Sequence, residues 1–163
     1  MMKINIKFLI FTFISIFISG CANVSHPTLQ EPKLKYTFSI LINSNKERLY
    51  LGDNERIFVP FTLKVSGKIN GVAMPYGVDI QKQKENGIKE ISARYAILLD
   101  DGETIYIQNE GMIHKKNDGS RYFVTVPKFE AYSKKYKWIQ QAIFIGYAVS
   151  TPQGTLLSFY ELK

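Results

Sequence analysis

The sequence predicts an all-β domain whose strand spacing favours a sandwich or a closed barrel. Three observations carry this. From Leu34 onward the chain is rich in Tyr, Phe, Ile and Val and is punctuated by Gly, Asn and Asp, the composition of strands that bury one face. Apolar residues in that region do not recur at the three-and-four spacing of an amphipathic helix. The run Leu99-Asp100-Asp101-Gly102-Glu103-Thr104 sets Asp-Gly between two such segments, a strong local signal for a hairpin.

Ahead of the β-domain stands an address. Residues 1–7 carry Lys3 and Lys7, residues 8–18 are apolar except for Thr12 and Ser15, and Ser19-Gly20 precede Cys21. These are the parts of a signal peptide. As a helix, residues 8–18 would span roughly 16 Å at about 1.5 Å per residue, short of a hydrocarbon core of about 30 Å. Cys21 is the only cysteine of the chain, which excludes an intrachain disulfide. It occupies the position at which a bacterial lipoprotein is acylated, and two or more acyl chains anchor stably where one does not. Residues 1–20 therefore read as a lipoprotein leader, 21–33 as a tether and 34–163 as the β-domain. Ala22-Asn23 lacks an inner-membrane retention aspartate, so in a diderm cell the expected location is the outer membrane, facing the periplasm. Pro27 and Pro32 with Ser25 and Asn23 make the tether an extended spacer.

The full chain of 163 residues has formal charge +7; losing residues 1–20 removes two lysines and no acid, leaving 19 basic against 14 acidic residues, +5. A domain of this length has one core. An envelope address argues against a nucleic-acid partner, and the positive charge serves solubility, anionic headgroups or an anionic ligand.

Candidate strands are 35–43, 48–51, 56–65, 68–74, 78–84, 88–100, 103–110, 122–126, 138–150 and 155–162. If Asp101-Gly102 form a two-residue type I′ loop, Arg94 faces Asn109, Ala96 faces Ile107 and Leu98 faces Ile105. Tyr95 with Gln108, Ile97 with Tyr106 and Leu99 with Thr104 then share the other side. In that register both faces are of mixed polarity, as expected of a sheet that packs a core and lines a partly polar cavity.

With these segments in view, residues 35–160 resemble domain-of-unknown-function family 3237. The carriers are Pro75-Tyr76-Gly77-Val78-Asp79-Ile80-Gln81, Ala93-Arg94-Tyr95 running through Asp101-Gly102 to Ile105-Tyr106, then Asn109 and Gly111. They continue with Tyr122-Phe123, Pro127-Lys128-Phe129-Glu130, Tyr136-Lys137-Trp138-Ile139, Phe144 and Gly146. The resemblance implies a single antiparallel β-barrel of about 8–10 strands with a central cavity, broadly like a lipocalin or allene oxide cyclase barrel, and adds shape more than function. The sequence departs from the family pattern at Tyr76, Ile80, Val124 and Gln140, so a ligand read by other members need not be read here.

Candidate ligand-binding residues are Arg94, Asn109, Asp79, Tyr95, Tyr106 and Trp138. Arg94 beside Asn109 would present a donor fork to a carboxylate, phosphate or carbonyl, or Arg94 pairs with Glu90, Glu110 or Glu130. Asp79 is a general base or acceptor near a cavity mouth, or it binds local turn amides. Trp138, Tyr95, Tyr106, Tyr122 and Phe129 form a core or an aromatic wall against an apolar ligand. His114 sits in a polar loop without a second His or Cys, so no metal set or cofactor is expected, and no Gly-x-Ser-x-Gly is present. Three functions remain: a binding module for a small, mainly apolar molecule with one polar end; a barrel isomerase, cyclase or lyase using Asp79 or a tyrosine hydroxyl; and a structural envelope protein docking through an apolar surface.

Overall fold

The computed structural model describes residues 31–163 except Tyr76. The expected leader, Cys21 and most of the tether lie outside the described residues. The domain contains β1 Leu34–Ser44, β2 Leu49–Leu51, β3 Arg56–Gly67, β4 Gly71–Ala73, β5 Val78–Gln83, β6 Lys89–Leu99, β7 Thr104–Lys115 and β8 Arg121–Ala131. A 3-10 helix, Lys134–Gln140, follows, then β9 Phe144–Thr151 and β10 Gly154–Leu162.

The wall closes on itself. β1 pairs with β10 on one side and β3 on the other; β10, β9, β8, β7 and β6 follow in antiparallel order. The short strands β4 and β5 share one position between β3 and β6. The result is an eight-position antiparallel barrel, with β2 an added flap on β3. A closed sheet has no free edge to pair with another chain. The joints differ in extent: ten residue pairs join β6 to β7 and eleven join β7 to β8, but β8 meets β9 only at Val124↔Tyr147 and Thr125↔Gly146. Pro127 lies just past that short ladder, where a residue without an N–H is tolerated.

The β6–β7 hairpin corrects the expected register. Gly102 N donates to Leu99 O and Leu99 N donates to Glu103 O, both at 2.9 Å, so the loop is Asp100-Asp101-Gly102. Gly102 has φ +86, while Asp100 and Asp101 keep negative φ. This is a three-residue loop ending in a left-handed residue, and not the two-residue type I′ turn. Ala93 therefore faces Asn109 and Arg94 faces Gln108. A slip of one residue sends Arg94 and Asn109 to opposite faces.

In the observed register the alternation is clean. Ile91, Ala93, Tyr95, Ile97 and Leu99 of β6 and Ile105, Ile107 and Asn109 of β7 are buried. Their core centres on Phe38, Phe129, Phe144 and Phe159, whose rings meet at centroid distances of 4.9 to 5.9 Å. Burying each such ring stabilises the fold by an upper bound of roughly 3 kcal/mol.

Residues 138–143, expected as the start of a strand, are not one. The chain from Lys134 makes i→i+3 bonds, Tyr136 N to Ser133 O and Gln141 N to Trp138 O. It drops Ile139 into the core, with Tyr136 and Trp138 packed against the same cluster. Tertiary burial of three large side chains within four residues requires a helical turn, because a strand would point alternate ones outward. The helix covers the barrel end that carries the β6–β7 loop. Its Trp138 ring lies under Lys68 Nζ at 3.5 Å.

Candidate functional site

At the end of the barrel opposite the helix the interior is hollow. The cavity measures about 240 Å³ and has apolar walls from Ile42, Val59, Phe61, Ile91, Phe123 and Leu157. Small-molecule sites run from roughly 300 to 1,000 Å³, so an occupant is compact.

The polar floor follows from strand register. Val59, Asp79, Ala93 and Asn109 face one another in turn across β3, β5, β6 and β7. Four residues on one row of a pleated wall share one face, and buried Val59, Ala93 and Asn109 show that it is the inner one. Asp79 and Asn109 are two strands apart, roughly 10 Å between Cα atoms. The small Ala93 between them leaves the gap open. Tyr95, two residues farther along β6, supplies the third polar group at the bottom, its ring edge-on to Phe61 at 5.3 Å.

The electrostatics of this floor are unusual for a core. Asp79 Oδ2 accepts from Gln81 Nε2 at 2.7 Å and Oδ1 from Ser92 N at 3.3 Å. Burial nevertheless raises its pKa above the ordinary carboxylate range, the hydrogen bonds and the charge of Lys89 offsetting only part of the desolvation. Tyr95 is pushed up as well, first by burial and then by the negative charge of Asp79. The Tyr95 hydroxyl and Asn109 Oδ1 are fully buried without a hydrogen-bond partner. Such groups cost about 1–3 kcal/mol each when left unpaired. Thr125 Oγ1 shares that condition, but it is wedged beside Gly111 and Gly146, outside the cavity.

The six residues singled out from sequence thus divide. Asp79, Tyr95 and Asn109 line one cavity. Arg94 does not join them: its guanidinium donates to Glu110 Oε1 at 2.8 Å and to Ser92 Oγ and Ala93 O at 3.1 Å on the outer face. Tyr106 faces Ala96 and Glu130 on that same outer side. Trp138 belongs to the helix at the far end. Arg48, Lys89 and Arg121, which the sequence reading passed over, line the mouth. Arg121 holds Ser150 Oγ at 2.9 Å across the β8–β9 joint, and partial burial lowers its pKa. The usable signal was parity, since Lys89 lies in step with Ile91 and Arg121 with Phe123.

Among the described residues, no group of three or more His, Cys, Asp or Glu side chains is placed to hold a metal, and no helix is long and apolar enough to cross a membrane.

Comparison with known proteins matches residues 32–162 to the family described as protein of unknown function (DUF3237). A UPF0311 protein of Clostridium acetobutylicum is 39% identical over 153 residues, covering 83% of this chain and 97% of that one. The crystal structure of a protein with unknown function from the same species superposes with TM-score 0.75 at 37% identity, over 82% of this chain and all of the other. A β-barrel-like protein from Acinetobacter baumannii, 24% identical, superposes with TM-score 0.77 over 85% of this chain and 100% of its own.

Proposed function

The chain belongs to the DUF3237 family, and from that premise we propose that it is a lipid-anchored envelope protein that holds a small, mainly apolar molecule by one polar end inside its barrel. The observation that carries this is the pair of orphaned atoms on the cavity floor. The Tyr95 hydroxyl and Asn109 Oδ1 are buried without partners beside the carboxylate of Asp79. A ligand hydroxyl donating to Asn109 Oδ1 and accepting from Tyr95 would satisfy both orphaned atoms, a primary amide could in addition donate to Asp79, and apolar contact with Phe61, Ile91 and Phe123 would supply most of the affinity.

The test is native mass spectrometry of protein purified from its own envelope. A co-purifying small molecule that is lost from Tyr95→Phe and Asn109→Ala, while both variants keep the circular dichroism of the parent, supports the reading. Equal retention by the parent and both variants overturns it.

Anchoring rests on the Ser19-Gly20-Cys21 sequence after its apolar run. Radiolabelled palmitate should enter the parent and not Cys21→Ser, which should accumulate as an unprocessed precursor. A Cys21→Ser protein processed to a soluble mature form would overturn the anchor.

A second reading is favoured by one observation: Asp79, whose pKa burial raises, shares the floor with the Tyr95 hydroxyl. Perturbed acids in a cleft are the usual machinery of proton transfer. An isomerase, cyclase or lyase would use Asp79 as base and Tyr95 as donor. Asp79→Asn would then abolish turnover and leave binding intact.

A further inference from the structure

We infer that the occupant of the cavity is an organic anion, carrying its carboxylate at the barrel mouth and its hydrogen-bonding group at the floor; this rests on the binding reading above. Three cationic side chains, Arg48, Lys89 and Arg121, line the same cavity as one carboxylate, Asp79. The cations stand at the mouth and Asp79 stands on the inner row with Asn109, so the two signs are separated along the cavity axis. Among the described residues Lys84, Arg94, Lys135 and Lys163 each have a carboxylate partner. Arg48, Lys89 and Arg121, like most of the other cations there, have none within salt-bridge distance; what sets these three apart is that they converge on one cavity. Arg121 spends one donor on Ser150 Oγ and keeps the rest of its fork.

The excess extends outward. A second cleft of about 300 Å³ shares Lys89, Ile113 and Arg121 with the cavity and adds His114 and Lys115. An anion entering through that cleft meets Lys89, Lys115 and Arg121 before the carboxylate of Asp79 on the floor, which raises its rate of capture as well as its affinity. Three cationic groups flanking a low-dielectric chamber favour a carboxylate over its neutral ester because charge-assisted hydrogen bonds are roughly twice as strong as neutral ones. The apolar walls between mouth and floor exclude a small inorganic anion as the whole ligand, since it would leave Phe61, Ile91 and the orphaned floor atoms without contact.

The probe is a matched set with one body and three charges: para-hydroxyphenylpropionate, its methyl ester, and tyramine. Binding is followed by titration calorimetry and by NMR perturbation of Tyr95 and Asn109. The acid should bind roughly tenfold or more tightly than the ester or the amine, and Lys89→Gln and Arg48→Gln should weaken the acid more than the ester and so erase that preference. Arg121→Gln should act likewise, with circular dichroism reporting any loss of the Ser150 tie. Ester or amine binding as tight as the acid, with perturbed Tyr95 and Asn109, would overturn the anion inference and leave the cavity reading standing. No perturbation of Tyr95 or Asn109 by any of the three would overturn both.

Discussion

The hydroxyl of Tyr136 donates to Asp101 Oδ2 at 2.6 Å, tying the helix that covers one barrel end to the tip of the β6–β7 hairpin. Lys135 Nζ reaches the same oxygen at 2.5 Å. Two donors on one carboxylate hold the pKa of Asp101 down at about 2, the hydrogen bond from Lys135 contributing most. A depressed carboxylate adds stability that is present above its unfolded value of 3.8 and lost as pH falls toward 2. Asp101→Asn should therefore lower the melting temperature at neutral pH, and the gap to the parent should close through that acid window. A gap that does not change with pH would show the tie to be electrostatically idle.

Gly102→Val tests the hairpin. The residue sits at φ +86, where a β-branched side chain is strained by about 1–2 kcal/mol. No atom lies within 4 Å of an added Cβ, so the loss would report backbone conformation and not collision. Urea denaturation should show a lowered midpoint with unchanged slope.

Asp79→Asn should stabilise the empty protein at neutral pH. The pKa of Asp79 is raised above 3.8, so the folded state holds its proton more tightly than the unfolded state. The contribution of Asp79 is fully favourable below 3.8 and declines as pH rises through the folded value. The advantage of the Asn variant over the parent should grow over that same range and be flat below it. Paired denaturation curves across pH measure it directly.

Tyr95→Phe removes an unpaired buried hydroxyl and keeps the ring against Phe61. The unliganded variant should be as stable as the parent or more so, by up to about 1–2 kcal/mol. A marked loss of stability would mean that the hydroxyl already has a partner.

Most of the barrel was legible in the sequence. Ten strands were expected and ten are present among the described residues, because turn residues bound each β-rich run. The hairpin register was not, although the information was there. Read strand by strand, Ile91, Ala93, Tyr95, Ile97 and Leu99 alternate with more polar neighbours, as do Ile105 and Ile107 with Thr104 and Tyr106. Setting those two apolar rows on one face demands an extra loop residue. A two-residue turn splits them, and the mixed faces it produced were the mark of the wrong register. That slip would turn Arg94 to the same face as Asn109, whereas Asn109 is inside because it lies in step with Ile105 and Ile107. The helix at 134–140 carries no periodic signal because seven residues are too few for one, and burial of Ile139 in the core and packing of Trp138 against Phe144 set that turn together with the bond from Tyr136 to Asp101. The basic mouth escaped because charged residues at strand ends read as solvated until closure places Lys89 and Arg121 around one opening.

The uneven stitching of the wall has a kinetic meaning. A cylinder held by ten and eleven residue pairs on two neighbouring joints and by two pairs on the next does not fluctuate equally around its circumference. Its cheapest excursion is to part β8 from β9, the joint that Arg121 clasps from one side through Ser150. Amide hydrogen exchange would record this as a foldon of low protection beside a slowly exchanging β6–β7–β8 sheet. A solute sealed among Phe61, Ile91 and Phe123 would then have a residence time governed by the frequency with which that seam opens.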